Sequence, residues 1–262
     1  MKPLYPKHLE LMLENIYADI IALLYPKIKR ILLNKYASFK IKTDGAMNDP
    51  VSDLWDQIEV WVNSPAMTLK LQRLHKVLER WTSGQVQNAL RNMKGVKDKD
   101  VRALAVEKSL DDPDILQSTD NFIKKEKEMI EDAGKDFIGG MQETAHTSFM
   151  EGEGTEELAN KLQGFAEISD SKARFWASDM LGDAYSSYTE TMHAKAGIKN
   201  YIWRTSGDNA VRENHRELNG RVFGWSKGAA FTGLLDKPGA KNPGDDFRCR
   251  CSGEPTFREA EQ

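Results

Sequence analysis

The stretch NYIWRTSGDNAVRENHRELNGRVFGW, residues 200–225, decides how the fold is read. Tyr201-Ile202-Trp203-Arg204-Thr205 is aromatic and β-branched, the composition of a strand. Ser206-Gly207-Asp208 turns the chain, and Asp208 or Asn209 can cap a short helix running through Leu218. Asn219-Gly220 is a reversal signal because both residues tolerate positive φ, and Arg221-Val222-Phe223-Gly224-Trp225 has strand composition again. The pattern predicts strands of a small antiparallel sheet with a helix in their connection. The alternative is that Gly220 merely ends the helix that carries His215.

Working outward, Gly197 is placed to stop a helix of roughly 170–196 in the left-handed conformation. On that helix Trp176, Met180, Ala184, Tyr188 and Met192 recur at four-residue steps and form a core-facing stripe. On the other side, residues 226–244 read as a long Gly/Pro loop and Phe247–Cys251 as a third short strand.

The first half reads as successive helices. Leu9, Leu13, Ile16, Ile20, Leu23 and Leu24 form a buried stripe, Pro26 predicts a kink or break, and Ile28, Ile31 and Leu32 resume the pattern. Turn formers fill 37–50. Ser52 opens a helix with Trp55, Ile58, Trp61 and Val62, and Ser64-Pro65 opens another with Leu71, Leu74, Val77, Leu78 and Trp81. Asp98 or Asp100 caps a short helix. Asp111-Asp112-Pro113-Asp114 ends it and starts a helix to about 150, with Gly139-Gly140 a flaw within it. A second short helix begins at Thr155.

Glu151-Gly152-Glu153-Gly154 is the hinge signal. It divides a helical domain, 1–150, suited to docking a partner, from a domain over 151–262. The expected fold class is a mainly α N-terminal half followed by a small α+β unit with a short antiparallel sheet.

With 262 residues, 40% hydrophobic and 29% charged, the chain is long enough for a large core. A net charge of -3 and a pI of about 6.0 provide no global basic field for nucleic acid. Two cysteines exclude a secreted disulfide scaffold, and no apolar run approaches a membrane span, so a soluble protein of a reducing cytoplasm is expected.

Beyond Ala194-Lys195-Ala196-Gly197-Ile198 the chain runs through Tyr201–Asp208, Val211, Arg212, His215, Leu218-Asn219-Gly220, Phe223, Pro243-Gly244 and Cys249-Arg250-Cys251. In this order and spacing the C-terminal hundred residues resemble the Mu F-like, or head-morphogenesis, family of phage minor head proteins. The motif positions are Trp203, Asp208, Arg212, His215, Gly220, Pro243, Gly244, Cys249 and Cys251. The resemblance implies a non-enzymatic minor capsid component. It would act with the portal, with scaffold or major capsid protein, and in some members with double-stranded DNA during packaging or release. It implies a place inside the virion near the portal, reached through the host cytoplasm. Some relatives carry a histidine before the paired cysteines; here that segment reads Asp245-Asp246-Phe247-Arg248, so no metal site is carried over by resemblance.

The residues admit two readings of their own. In one, Asp208 caps the helix and pairs with Arg212, His215 packs on the hairpin, and Cys249 and Cys251 are small buried hydrophobes. In the other, His215, Cys249 and Cys251 are three zinc ligands, with Asp208, Asp245 or Asp246 as the fourth. Alternation in a strand would point both cysteines to one face. Zinc is the cofactor such a set would take; no other is indicated.

Arg204, Arg212, Arg216, Arg221, Arg248 and Arg250 are expected to pair with interspersed acids on a mixed surface. His8, His75, His146 and His193 read as surface or boundary residues, and Lys124–Glu131 as a solvated face. No phosphate loop, G-x-S-x-G or H-E-x-x-H motif is present. The competing functional classes are a metal-dependent nuclease or hydrolase and a DNA-binding accessory protein.

Overall fold

The structure is a computed structural model that describes residues 7–39, 52–93, 112–232, 238–246 and 249–260. Among the described residues five helices come first: α1 (Lys7–Phe39), α2 (Ser52–Val62), α3 (Pro65–Arg91), α4 (Pro113–Met150) and α5 (Thr155–Lys195). Then follow β1 (Asn200–Arg204), α6 (Glu213–Leu218), β2 (Val222–Gly224), β3 (Ala229–Thr232), β4 (Pro238–Lys241) and β5 (Ser252–Thr256). The helical half followed by a small antiparallel sheet is the expected fold class.

By internal contacts the chain divides into two compact units. One draws on Met1–Leu11, Gln72–Phe122 and Ser178–Gln262, the other on Met12–Leu71 and Ile123–Ala177.

The second unit is all helix. Leu13, Ile16, Tyr17, Ile20, Leu24, Ile28 and Leu32 of α1 are buried at helical spacing, with Leu54, Ile58 and Val62 of α2. Of the expected kink or break at Pro26, a break does not occur: α1 runs on across it. A helix-interior proline costs about 3 kcal/mol, and the apolar stripe continues across it, so burial on either side outweighs the lost hydrogen bond. Gly139-Gly140 is no flaw either: a Cβ at Gly140 would lie 2.0 Å from the Phe165 ring, which stacks on Phe137. The expected break before 170 is also absent. The Ser169 hydroxyl donates to the Phe165 carbonyl and Ser171 to Glu167, so polar residues that signal a turn are satisfied along the helix instead. Residues 151–154 form the exposed turn between α4 and α5 inside this unit, where Lys161 pairs with Glu151 and Glu153.

Lys124–Glu131 is not wholly solvated. Glu126 is buried, because it shares the inner face of α4 with Ile123 and Ile130 at three- and four-residue steps. With burial, its charge pushes the Tyr17 phenol well above the usual range.

The first unit joins a helical part to the sheet. Val86, Leu90, Ile115, Met192 and Ile198 form one cluster. The Tyr188 hydroxyl meets His75 Nδ1 at 3.0 Å and Thr119 at 2.8 Å. His75 and His193 are thus core residues, not boundary ones; His146 is exposed as expected, and the His8 side chain lies outside the described residues. The helix expected after Asp98 or Asp100, and most of the 37–50 loop, also lie outside them.

Gly197 has φ 73°, and the Ile198 N–H closes back onto the His193 carbonyl at 2.8 Å, which ends α5. The chain enters β1, the centre of a three-stranded sheet in the order β2-β1-β5, antiparallel throughout. Tyr201 pairs with Phe223 and Pro255, and Trp203 with Gly253. Gly220, φ 88°, reverses the chain between β1 and β2, its N–H bonded to the Trp203 carbonyl at 2.8 Å.

Two expectations need correction here. The 226–244 segment is not simply a loop, since β3 and β4 pair as a two-stranded sheet. The third strand of the main sheet is Ser252–Thr256, so Cys249 and Cys251 lie just before it. Ser252 is the residue that pairs with Arg204 at the end of β1, so the ladder cannot extend back to the cysteines.

Candidate metal centre

The sheet's inner face gathers Tyr201, Trp203, Leu218, Phe223, Trp225, Ala229, Cys249 and Cys251 into one core. α6 is a single short helix whose buried side presents His215 and Leu218 to that core. The His215 ring stands edge-on to Trp203 at a centroid distance of 5.5 Å.

A turn in which the Cys249 N–H donates to the Asp246 carbonyl at 2.9 Å brings the terminal segment back beneath His215. Both sulfurs reach the same ring atom: Cys249 Sγ and Cys251 Sγ each lie 3.5 Å from His215 Nδ1. All three candidate ligand atoms lie within 4.8 Å of one another. The residues are 2%, 4% and 3% exposed, so the cluster is sealed.

On the other side of the imidazole, Nε2 lies 3.2 Å from Asp246 Oδ2. Asp246 is itself held by Arg212 at 3.1 Å and Lys241 at 3.3 Å. A carboxylate only accepts, so Nε2 donates to Asp246 and Nδ1 is the ring atom that faces both sulfurs. A hydrogen bond from Cys251 holds the Cys249 thiol well below its ordinary range, while that same neighbour and burial push Cys251 up. The pair therefore tends to share one proton.

The expected Asp208–Arg212 pair does not form. α6 begins at Glu213 with Arg212 at the cap position and no side-chain cap bond, so the acid-to-base helical spacing does not apply. Asp208 instead bonds the Ala210 N–H at 3.0 Å and pairs with Arg250 at 2.8 Å. Asp245 accepts from the Asn242 N–H at 2.7 Å. Of the acids considered as a fourth ligand, only Asp246 touches the cluster, and it does so behind the imidazole.

Asn242 and Gly182, which the sequence reading did not single out, help to hold this geometry together with Gly244. Asn242 receives the Tyr201 hydroxyl at 3.1 Å and donates to the Trp225 carbonyl at 3.2 Å, locking the Asn242-Pro243-Gly244 turn to the sheet. Gly244 has φ 104°, and a Cβ there would lie 2.9 Å from the Gly182 carbonyl. A Cβ at Gly182 would lie 3.2 Å from the Cys249 carbonyl, so small residues on α5 admit both turns. The Asn-Pro-Gly triplet was a readable turn signal; the glycine on the helix was not.

Thiol, imidazole and carboxylate in this order also match a nucleophilic triad. Burial argues against that use, because a substrate cannot reach either sulfur without opening the core. The surrounding arginines are engaged. Arg204 pairs with Glu254, Arg216 with Glu213 and Arg250 with Asp208, and Arg221 lies over Phe223. Arg248 lies outside the described residues.

Residues 140–253 match the model of a family described as phage Mu protein F like protein. An uncharacterized protein of Haemophilus influenzae is 26% identical over 150 residues, 57% of this chain and 32% of that protein. The chain therefore spans about a third of the length of that relative. No solved structure matches. The matched segment holds all of α5, β1 to β4, His215 and both cysteines, and through it the chain carries a phage Mu protein F-like region.

Proposed function

We propose that this chain is a minor head protein that acts beside the portal while the procapsid assembles. The observation that carries the reading is the family match over residues 140–253. Its role is structural: the C-terminal region provides the family-specific body, and the long helices provide docking surface for portal, scaffold or coat. Met12 and Leu23 on α1, Val60 on α2 and Leu69 on α3 are exposed apolar side chains, of the kind that serve helix docking. Among the described residues no helix is long and apolar enough to cross a membrane.

The deciding experiment is co-purification with the portal protein of the same phage, followed by electron microscopy of the complex. A defined position next to the portal supports the reading. A chain that stays apart from portal, scaffold and coat at micromolar concentration overturns it. Incubation with DNA and divalent metals, and a salt-dependent gel shift, test the nuclease and DNA-binding classes. Neither cleavage nor retardation is expected.

A further inference from the structure

We propose that His215, Cys249 and Cys251 bind one zinc ion, with Asp246 as the residue that orients the histidine. The inference stands on the geometry of the cluster and does not depend on the head-assembly reading.

Three observations carry it. First, the donor set is an imidazole and two thiols, the ligands zinc prefers, converging within 4.8 Å in the core. Second, the distances suit a tetrahedron. Bonds of about 2.3 Å to sulfur and about 2.0 Å to nitrogen place those two ligand atoms about 3.5 Å apart. Both Sγ–Nδ1 separations are 3.5 Å. Third, the ring's other nitrogen faces a buried carboxylate, itself clamped by Arg212 and Lys241. That is the outer-sphere arrangement that fixes the tautomer and orientation of a metal-binding histidine.

Packing alone asks only for small apolar volume at Cys249 and Cys251. It does not require both sulfurs to face one ring nitrogen, nor a charged group behind the ring. A disulfide across a single intervening residue is sterically strained. Among the described residues three ligands converge, because Asp208 and Asp245 are bonded elsewhere and Asp246 is behind the imidazole. With three protein ligands, zinc completes its tetrahedron with a water in the fourth position. The role is structural. The ion ties α6 to the segment before β5 across a sheet of only three short strands, where a staple adds most to stability.

The test uses the full chain, purified under reducing conditions without chelator. Elemental analysis is expected to find about one zinc per chain, a stoichiometry set by a single site. Cobalt exchanged for zinc is expected to show the thiolate charge-transfer and intense visible bands of a tetrahedral site. A double change of Cys249 and Cys251 to serine should abolish both signals. Because that variant can unfold, the second arm is Asp246→Asn, which keeps shape while removing charge. Its zinc affinity, read by chelator competition, should fall about 10- to 100-fold with the far-UV spectrum preserved. Folded, reduced protein that takes up neither zinc nor cobalt overturns the site. So does rapid alkylation of either thiol in the zinc-supplemented native protein, or a mass showing an internal disulfide. Unchanged affinity in Asp246→Asn overturns the role given to that carboxylate.

Discussion

The carboxylate of Asp246 lies 3.2 Å from Nε2 of His215, on the opposite side of the ring from both cysteine sulfurs. Asp246 is 1% exposed, and three side chains depend on it. Removing it takes this carboxylate away from the Arg212 and Lys241 charges and frees the ring. Asp246→Ala should therefore cost about 3 kcal/mol, within the range for breaking a buried pair, discounted because both cations keep some solvent contact. Urea unfolding followed by tryptophan fluorescence checks it, since Trp203 and Trp225 share the core beside the cluster. A loss under about 0.5 kcal/mol, the scale of an ordinary surface substitution, would show that the carboxylate holds nothing in place.

His193 gives the fold a dependence on pH. Its Nδ1 accepts from the Trp225 indole at 3.0 Å, and its Nε2 has no hydrogen-bond partner among the described residues. Burial lowers its pKa from 6.5 to about 3. The unfolded chain then binds a proton that the folded chain refuses, so stability is present above about pH 6.5 and is lost as pH falls toward 3. By pH 5 the loss from this group should reach about 2 kcal/mol. His193→Gln keeps an acceptor for the indole and removes the titration. Denaturation at pH 7 and pH 5 should show a smaller difference in the variant than in the parent, and equal slopes would refute the assignment.

Gly244→Ala should destabilise the first unit by about 1–3 kcal/mol. Two causes add: φ of 104° is unfavourable for any residue with a Cβ, and that Cβ would lie 2.7 Å from Ser186 Cβ and 2.9 Å from a backbone carbonyl. Thermal unfolding measures it. Gly207 makes the control, because its φ is also positive but nothing lies within 4 Å of a Cβ there. Gly207→Ala should cost less, and equal costs would mean that crowding against α5 contributes nothing.

The turn at 151–154 is expected to be nicked before the helices it joins. Glu151, Gly152 and Gly154 are exposed, whereas the flanking backbone is held in α4 and α5. A native digest with a glutamate-specific protease should cut at Glu151 or Glu153 ahead of Glu128, Glu131 or Glu167. Cleavage inside the helices at the same rate would show that the turn is no more accessible than the helices it joins.

Periodicity and turn chemistry made much of the architecture readable. The Ser64-Pro65 and Asp112-Pro113 starts, the Gly197 stop and the strand compositions of 201–205 and 221–225 are local signals, and local signals survive without knowledge of the fold. Gly139-Gly140 and the polar run near 170 misled, and Pro26 does not end α1, for one reason: each is locally unfavourable to a helix by a few kcal/mol at most, and core packing outweighs that. Glu126 was readable in principle, since it stands between Ile123 and Ile130 on the buried face.

The sequence by itself determined the kinds of donor available, one histidine and a Cys-x-Cys pair near the C-terminus, together with the order of elements carrying them and the motif order shared with the phage family. Only the tertiary structure decided that both sulfurs face Nδ1, that Asp246 stands behind the ring rather than beside the thiols, and that Asp208 belongs to Arg250. These are contacts between residues 31 to 42 positions apart. Their geometry depends on how the turn at Asn242-Pro243-Gly244 packs on α5 and how β5 pairs with β1. A distance of a few tenths of an ångström between side chains so separated is fixed by packing, which no local pattern along the chain encodes.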